Sequence, residues 1–222
     1  MLKRAFDVVA AAAGLILVSP ALLVLAATIK LTSPGPVFYL GVRGGLGGAP
    51  FRIFKFRSMV QNADRLGGPS TAGDDPRLTR VGWLMRRYKL DELPQLINVL
   101  VGDMSFVGPR PEVLSEVEAY TEEQRQILRI RPGITDWASI WNSNEESVLA
   151  GAADPHEVYK QLIQPTKLRL QLAYYRERTF LVDIEILLST VVKLFRPNWV
   201  PGRLKPYGRP VPASAAHDAR PS

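Results

Sequence analysis

Asp91 and Glu92 stand side by side in Leu90-Asp91-Glu92-Leu93-Pro94-Gln95-Leu96. Arg86 and Arg87 come just before them, and Arg110 follows in Gly108-Pro109-Arg110-Pro111. Carboxylates with arginines in reach suit the handling of phosphate and of a divalent ion. Pro94 fits the first turn of a helix, where its missing N–H is no loss. Asp91 would then lie at or just before a helix N-terminus, where backbone N–H groups favour negative charge. The plainer reading of the same residues is an N-cap aspartate and a first-turn glutamate, both structural. Upstream, period-two alternation in a strand at 51–56 sets Lys55 and Arg57 on one face. That pair is either functional or a solvated sheet face.

The elements that must position these groups are bounded by composition. The chain has 222 residues, a formal charge of +7, no cysteine and two histidines. Disulfides, thiolate metal sites and His-rich zinc sites are therefore excluded. The basic balance favours a nucleic acid, an anionic membrane surface or a phosphorylated substrate. No nucleic-acid-binding motif accompanies the charge, so no nucleic-acid partner is expected.

Residues 8–29 form a run of 22 without a charge, bounded by Lys3, Arg4 and Lys30. As one helix it would measure about 33 Å, enough to cross a bilayer. A secretory signal fits poorly, because the run is long and no cleavage site follows it. Two readings remain. One is a spanning helix kinked at Pro20. The other is a helix–break–helix at Ser19-Pro20 that enters one leaflet and returns, which places both basic ends on the cytoplasmic side. Irregular backbone at membrane depth must be bonded internally, and the Ser19 hydroxyl is placed to cap a carbonyl freed by Pro20.

Residues 32–36 read as a linker, and 37–39 with 51–56 as strands joined by a glycine-rich hairpin connection that lacks the Walker lysine. Residues 61–76 read as a surface loop, 81–88 and 94–101 as short helices, and 102–111 as a rigid loop. Thr121-x-x-Gln124 is a capping box opening a helix, broken at 131–137. Residues 142–155 read as loop and 167–178 as an amphipathic helix. Residues 181–196 are more apolar, with Glu185, Ser189 and Lys193 as a polar stripe. They suit either a membrane interface or a soluble core. The tail after Pro197 reads as disordered. The expected class is α/β, mainly helical with a small β-hairpin.

Laid out in order, these stretches resemble the bacterial sugar transferase family, the monotopic polyprenyl-phosphate phosphoglycosyl transferases of small, minimal type. The resemblance is carried by Phe51-Arg52-Ile53-Phe54-Lys55-Phe56-Arg57-Ser58-Met59, the Asp-Glu-Leu-Pro-Gln-Leu stretch, 102–111 and Arg131-Pro132-Gly133-Ile134-Thr135. Lys3-Arg4-x-Phe6-Asp7 and Ser19-Pro20 also fit. It implies a re-entrant membrane hairpin over 1–31 with its break at Ser19 and Pro20, a catalytic domain over 32–196 with interfacial amphipathic helices, and a tail over 197–222. It places the protein at the bacterial inner membrane with the catalytic domain on the cytoplasmic face, among membrane lipid, and leaves a homo-oligomer open.

The resemblance also implies transfer of a sugar phosphate from a UDP-sugar to polyprenyl (undecaprenyl) phosphate, with UMP released, as the first membrane step of glycoconjugate or polysaccharide synthesis. Asp91 would be the nucleophile and a ligand of Mg2+. Glu92 would bind metal, assist proton transfer or orient Asp91. Lys55, Arg57, Arg86 and Arg110 would meet phosphate oxygens. Tyr88-Lys89 and Asp136-Trp137-Ala138-Ser139 depart from the commonest family pattern, which leaves the sugar open. The competing class is a non-catalytic membrane-surface scaffold that binds anionic lipid.

Overall fold

Leucine, valine and alanine dominate the first thirty residues, and in the computed structural model, which describes residues 1–212, they wind into one helix, α1 (Leu2–Thr32). The expected interruption at Ser19-Pro20 is corrected: the helix continues through Pro20. Pro20 has no N–H to give the Ile16 carbonyl. The Ser19 hydroxyl donates to that carbonyl at 2.8 Å, so the freed acceptor is satisfied without unwinding. Ser19, Pro20 and Ala21 are all exposed in succession, and successive helical residues point about 100° apart. The middle of α1 is therefore uncovered on nearly every side.

Both ends of α1 are tied to the same body. Near its start, Lys3 Nζ lies 2.6 Å from Asp183, Arg4 donates to the Val99 and Leu100 carbonyls, and Asp7 accepts from the Phe106 amide at 3.1 Å. Near its end, buried Ile29 packs on Phe56 and Met85.

Strands β1 (Phe38–Gly44) and β2 (Pro50–Phe56) pair antiparallel, from Phe38 opposite Phe56 to Gly44 opposite Pro50. At their connection Gly47 and Gly48 hold φ of 68° and 78°, values that favour glycine. The glycines thus serve the turn. Helix α2 (Arg80–Arg87) is N-capped by Thr79, and α3 (Gln95–Val101) opens after Pro94.

A second sheet lies where loop and helix-breaker were expected: β3 (Ser105–Val107) runs parallel to β4 (Gly133–Thr135). Just past β3, Gly108 meets Gly133 so closely that a Cβ on Gly133 would lie 2.1 Å from the Gly108 nitrogen. Between these strands come α4 (Leu114–Glu118) and the Thr121–Gln124 capping box. Both box bonds form, at 2.9 and 3.3 Å, but they open a 3-10 turn at Gln124–Arg129 instead of an α-helix.

The rest is helical: α5 (Trp137–Trp141), α6 (Glu145–Leu149), α7 (Pro155–Val158), α8 (Gln164–Glu177) and α9 (Phe180–Phe195). The main core gathers Trp137, Ile140, Trp141, Tyr174, Ile186 and Leu204. Three expectations are corrected here. The stretch 142–155 contains α6, because Val148 and Leu149 are buried in that core. The tail is packed through its described part, with Leu204 buried and the Trp141 indole donating to the Gly208 carbonyl at 3.2 Å. Residues 213–222 of that tail lie outside the described residues. Helix α8 is a core helix, buried on several sides through Leu168, Leu170, Leu172 and Tyr174.

Helix α9 has the opposite character. Its buried face carries Asp183, Ser189 and Lys193 beside Ile186, while Leu181, Leu188, Val191, Leu194 and Phe195 are exposed. Lys193 is satisfied inwardly by the Trp199 carbonyl at 2.9 Å. The expected polar stripe thus turns largely toward the protein, and the apolar side is left uncovered.

Candidate active site

Two residues past α2, Lys89 has a positive φ of 57°, an uncommon backbone for a residue with a side chain. The chain reverses there into a 3-10 turn, Leu90–Glu92, and then enters α3. That turn brings the adjacent carboxylates to β2 on one side and the segment after β3 on the other.

Glu92 Oε1 accepts from Lys55 Nζ at 2.9 Å and from the Arg110 guanidinium. Burial pushes the Glu92 carboxyl up, but Arg110 and Lys55 outweigh it and hold Glu92 well below the usual carboxylate range. Burial, joined by the charge of Arg110, draws the Lys55 amine below its ordinary value despite the attraction of Glu92. Arg110 is fixed further by the Ile134 carbonyl at 3.0 Å and, through its backbone amide, by Asp136 at 3.2 Å. Two residues on, Glu112 accepts from both Lys167 and Tyr159 at 2.6 Å, pinning the far side of the same rigid loop.

Asp91 is only 4% exposed, yet among the described residues its carboxylate has neither an ion pair nor a hydrogen bond. Burial raises its pKa; Lys55 opposes the shift and Glu92 adds to it. A carboxylate that is buried, unpaired and near cations is available for attack or for metal.

Arg86 does not touch Asp91. Its Nε and Nη2 reach Glu146 Oε1 at 3.0 and 2.7 Å, and its charge acts on Asp91 through space. The structure thus brings together Lys55, Asp91, Glu92 and Arg110, with Arg86 behind them. Arg57 is separated from this group. Its guanidinium reaches back to the Pro34 and Ser33 carbonyls and to the Ser33 hydroxyl at 2.6–2.9 Å, so it locks the linker after α1. The strand face that would have joined it to Lys55 ends with Phe56. Ser19 and Pro20 lie in the exposed middle of α1. Sequence reasoning missed Glu146 and Glu112, and named Asp136 only as a departure from the family pattern. Glu145-Glu146 inside a polar stretch, and a carboxylate two residues past Arg110, were the available signals.

Among the described residues no three carboxylate or imidazole groups gather to hold a metal. Mg2+ is commonly held by one or two carboxylates with substrate phosphates and water completing its shell. The free carboxylate of Asp91 fits that arrangement. Glu92 Oε1 is already occupied by two cations.

The profile of the family described as bacterial sugar transferase matches residues 1–197. The chain belongs to this family. Among its relatives is the UDP-glucose:undecaprenyl-phosphate glucose-1-phosphate transferase of Escherichia coli (strain K12), 41% identical over 205 residues, covering 88% of this chain and 40% of that protein. The corresponding enzyme of Caulobacter vibrioides is 41% identical over 199 residues, covering 86% of this chain and 69% of its own. The uncharacterized sugar transferase EpsL of Bacillus subtilis is 39% identical over 194 residues, covering 87% of each. The chain thus spans about two fifths of the E. coli and Aeromonas hydrophila relatives, 40% and 41% of their lengths. Within the bacterial sugar transferases, the site described above falls wholly inside the matched region.

Proposed function

We propose that the protein transfers a sugar phosphate from a UDP-sugar to undecaprenyl phosphate, at the cytoplasmic face of the bacterial inner membrane, in exopolysaccharide or related glycoconjugate synthesis. The relatives' names supply the substrate classes. The observation that carries the mechanism is the contrast between the unpaired, buried Asp91 and the doubly paired Glu92 beside it.

An Asp91 carboxylate oxygen attacks the sugar-bearing phosphorus. The bond from that phosphorus to the bridging oxygen breaks, and UMP leaves. An oxygen of undecaprenyl phosphate then attacks the same phosphorus and displaces Asp91, giving the undecaprenyl diphosphate sugar. Splitting transfer in this way lets a soluble donor and a lipid acceptor use one site in turn. Lys55 and Arg110, aimed by Glu92, neutralise phosphate oxygens as the charges approach. Mg2+, held by Asp91 and substrate oxygens, would offset charge on the leaving group.

A re-entrant setting for α1 is supported by the anchoring of both its ends to one body. A bilayer-interface setting for α9 is supported by its uncovered apolar side. The deciding experiment incubates the full-length chain in nanodiscs with UDP-sugars labelled at the sugar phosphate. UMP release and a labelled protein adduct that maps to Asp91 are expected. Release of UMP by the Asp91→Asn variant at the wild-type rate removes Asp91 from the chemistry.

A further inference from the structure

All four cations expected to meet the donor's phosphates already have internal partners. Glu92 holds Lys55 and Arg110, carbonyls of the linker hold Arg57, and Glu146 holds Arg86. A donor diphosphate therefore enters a site whose cations are already engaged, two to each carboxylate, and it must share or displace these partners.

The two carboxylate clasps differ in strength. Glu92 belongs to the catalytic turn, has a side chain 14% exposed and binds two cations closely. The Glu146 side chain is 26% exposed and sits on the five-residue helix α6. There it draws Arg86 at 2.7 Å and, more loosely, Lys89 at 3.8 Å onto the same oxygen. A single anionic oxygen between a guanidinium and an ammonium, both flanking Asp91, is the arrangement a phosphate oxygen would make. The backbone around α6 is held by another polar segment: the Gly73 amide donates to the Glu146 carbonyl at 2.9 Å, and the Gly151 amide donates to Asp74 at 3.1 Å.

We infer that Glu146 is an internal stand-in for a donor phosphate. It keeps Arg86 neutralised and aimed while the site is empty, and it releases Arg86 to the diphosphate when the donor binds. Glu146 is a positioning residue that competes with substrate. This inference rests on the reading of the donor as a nucleoside diphosphate sugar. Removing the Glu146 carboxylate therefore frees Arg86 and tightens anion binding.

The test measures binding of inorganic pyrophosphate with Mg2+ to the detergent-solubilised full chain by calorimetry, for wild type, Glu146→Gln and Glu146→Asp. An ion pair of this exposure is worth about a two- to fivefold change, so Glu146→Gln is expected to tighten pyrophosphate binding by that factor and to lower KM for the UDP-sugar. Glu146→Asp, too short to hold Arg86 closely, is expected to tighten it less, and it decides the matter if the Gln variant does not fold. Weaker or unchanged pyrophosphate binding overturns the stand-in. Because pyrophosphate carries neither uridine nor sugar, this result is separate from the UMP-release assay that decides the transferase reading.

Discussion

Asp91 and Glu92 are neighbours in one 3-10 turn, yet the fold raises the pKa of the first and lowers that of the second. Burial acts on both. What separates them is that Lys55 and Arg110 contact Glu92 and not Asp91. Glu92 is therefore a fixed anion at neutral pH with no proton to give, which argues for an orienting role over proton transfer. Its charge lets two cations converge where they would otherwise repel each other.

Replacing Asp91 separates stability from activity. Its pKa is raised in the folded state, so the ionised form is disfavoured there relative to the unfolded chain. The stability penalty is present above the raised value and disappears as pH falls through it toward the ordinary carboxylate range. Asp91→Asn is expected to abolish UMP release while raising Tm at pH 7 by about 2–4 °C, the shift that about 1 kcal/mol gives in a chain of this length. At pH 4 the gain in Tm should shrink. For the same reason, wild-type activity should begin to fall on the acid side at a pH above that of an ordinary aspartate. Scanning calorimetry at the two pH values checks the first point, and a pH–rate profile the second.

Glu92→Gln should act in the opposite direction on stability. It leaves Lys55 and Arg110 facing each other without their shared anion. Breaking a buried pair by removing one partner costs about 3–5 kcal/mol, and the partial exposure here points to the lower end. Tm should drop and UMP release should fall sharply. Adding Lys55→Met to Glu92→Gln should recover part of the lost Tm, because it removes one of the two repelling charges. A double mutant that is no more stable than Glu92→Gln alone would count against the shared-anion geometry.

Much of this site was legible because its parts are local. The carboxylate pair, the proline after it, the β-hairpin and the arginine after Gly108-Pro109 all announce themselves within a few residues. What the sequence hid was long-range. Lys55 and Arg57 share a strand pattern, but the strand ends between them, and Arg57 turns to a linker more than twenty positions upstream. The β3–β4 pair joins three-residue segments far apart in the chain, too short to leave a periodic signal. Helix α6 hid inside a polar stretch because five residues cannot show a helical repeat. In α9 the periodicity was visible, but its inward side could be learned only from packing.

The outward apolar side of α9 can be located directly, because the chain has no cysteine to interfere with labelling. Leu194 and Phe195 are 66% and 81% exposed, and burying such a side chain in lipid contributes about 1.5–3 kcal/mol. A nitroxide on Val191→Cys in a liposome-reconstituted chain should be relaxed by oxygen and shielded from a water-soluble nickel chelate. One on exposed Lys205→Cys should show the reverse. Nickel accessibility at Val191→Cys equal to that at Lys205→Cys would mean that α9 does not lie in the interface.

The path of α1 is tested by its two ends. Lys3 and Arg4 bond to α9 and to the end of α3, while Ile29 packs on β2 and α2, so one packed body holds both termini of the apolar helix. A helix that crossed the bilayer would carry one of those attachments to the far side and leave buried Asp183 with the Tyr174 hydroxyl but without its cation, which is costly. The helical stretch Ser19–Ala21 is exposed, and in the proposed re-entrant setting it is the part that faces lipid. Single cysteines at Leu2 and at Leu31 should therefore both resist a membrane-impermeant maleimide applied to intact cells, and both should react in inverted vesicles. A nitroxide at Ala21→Cys should sit deeper than one at either end. Labelling of Leu2→Cys from outside intact cells, with Leu31→Cys still protected, would establish a spanning helix and would also break the Lys3–Asp183 pair that fixes the start of α9.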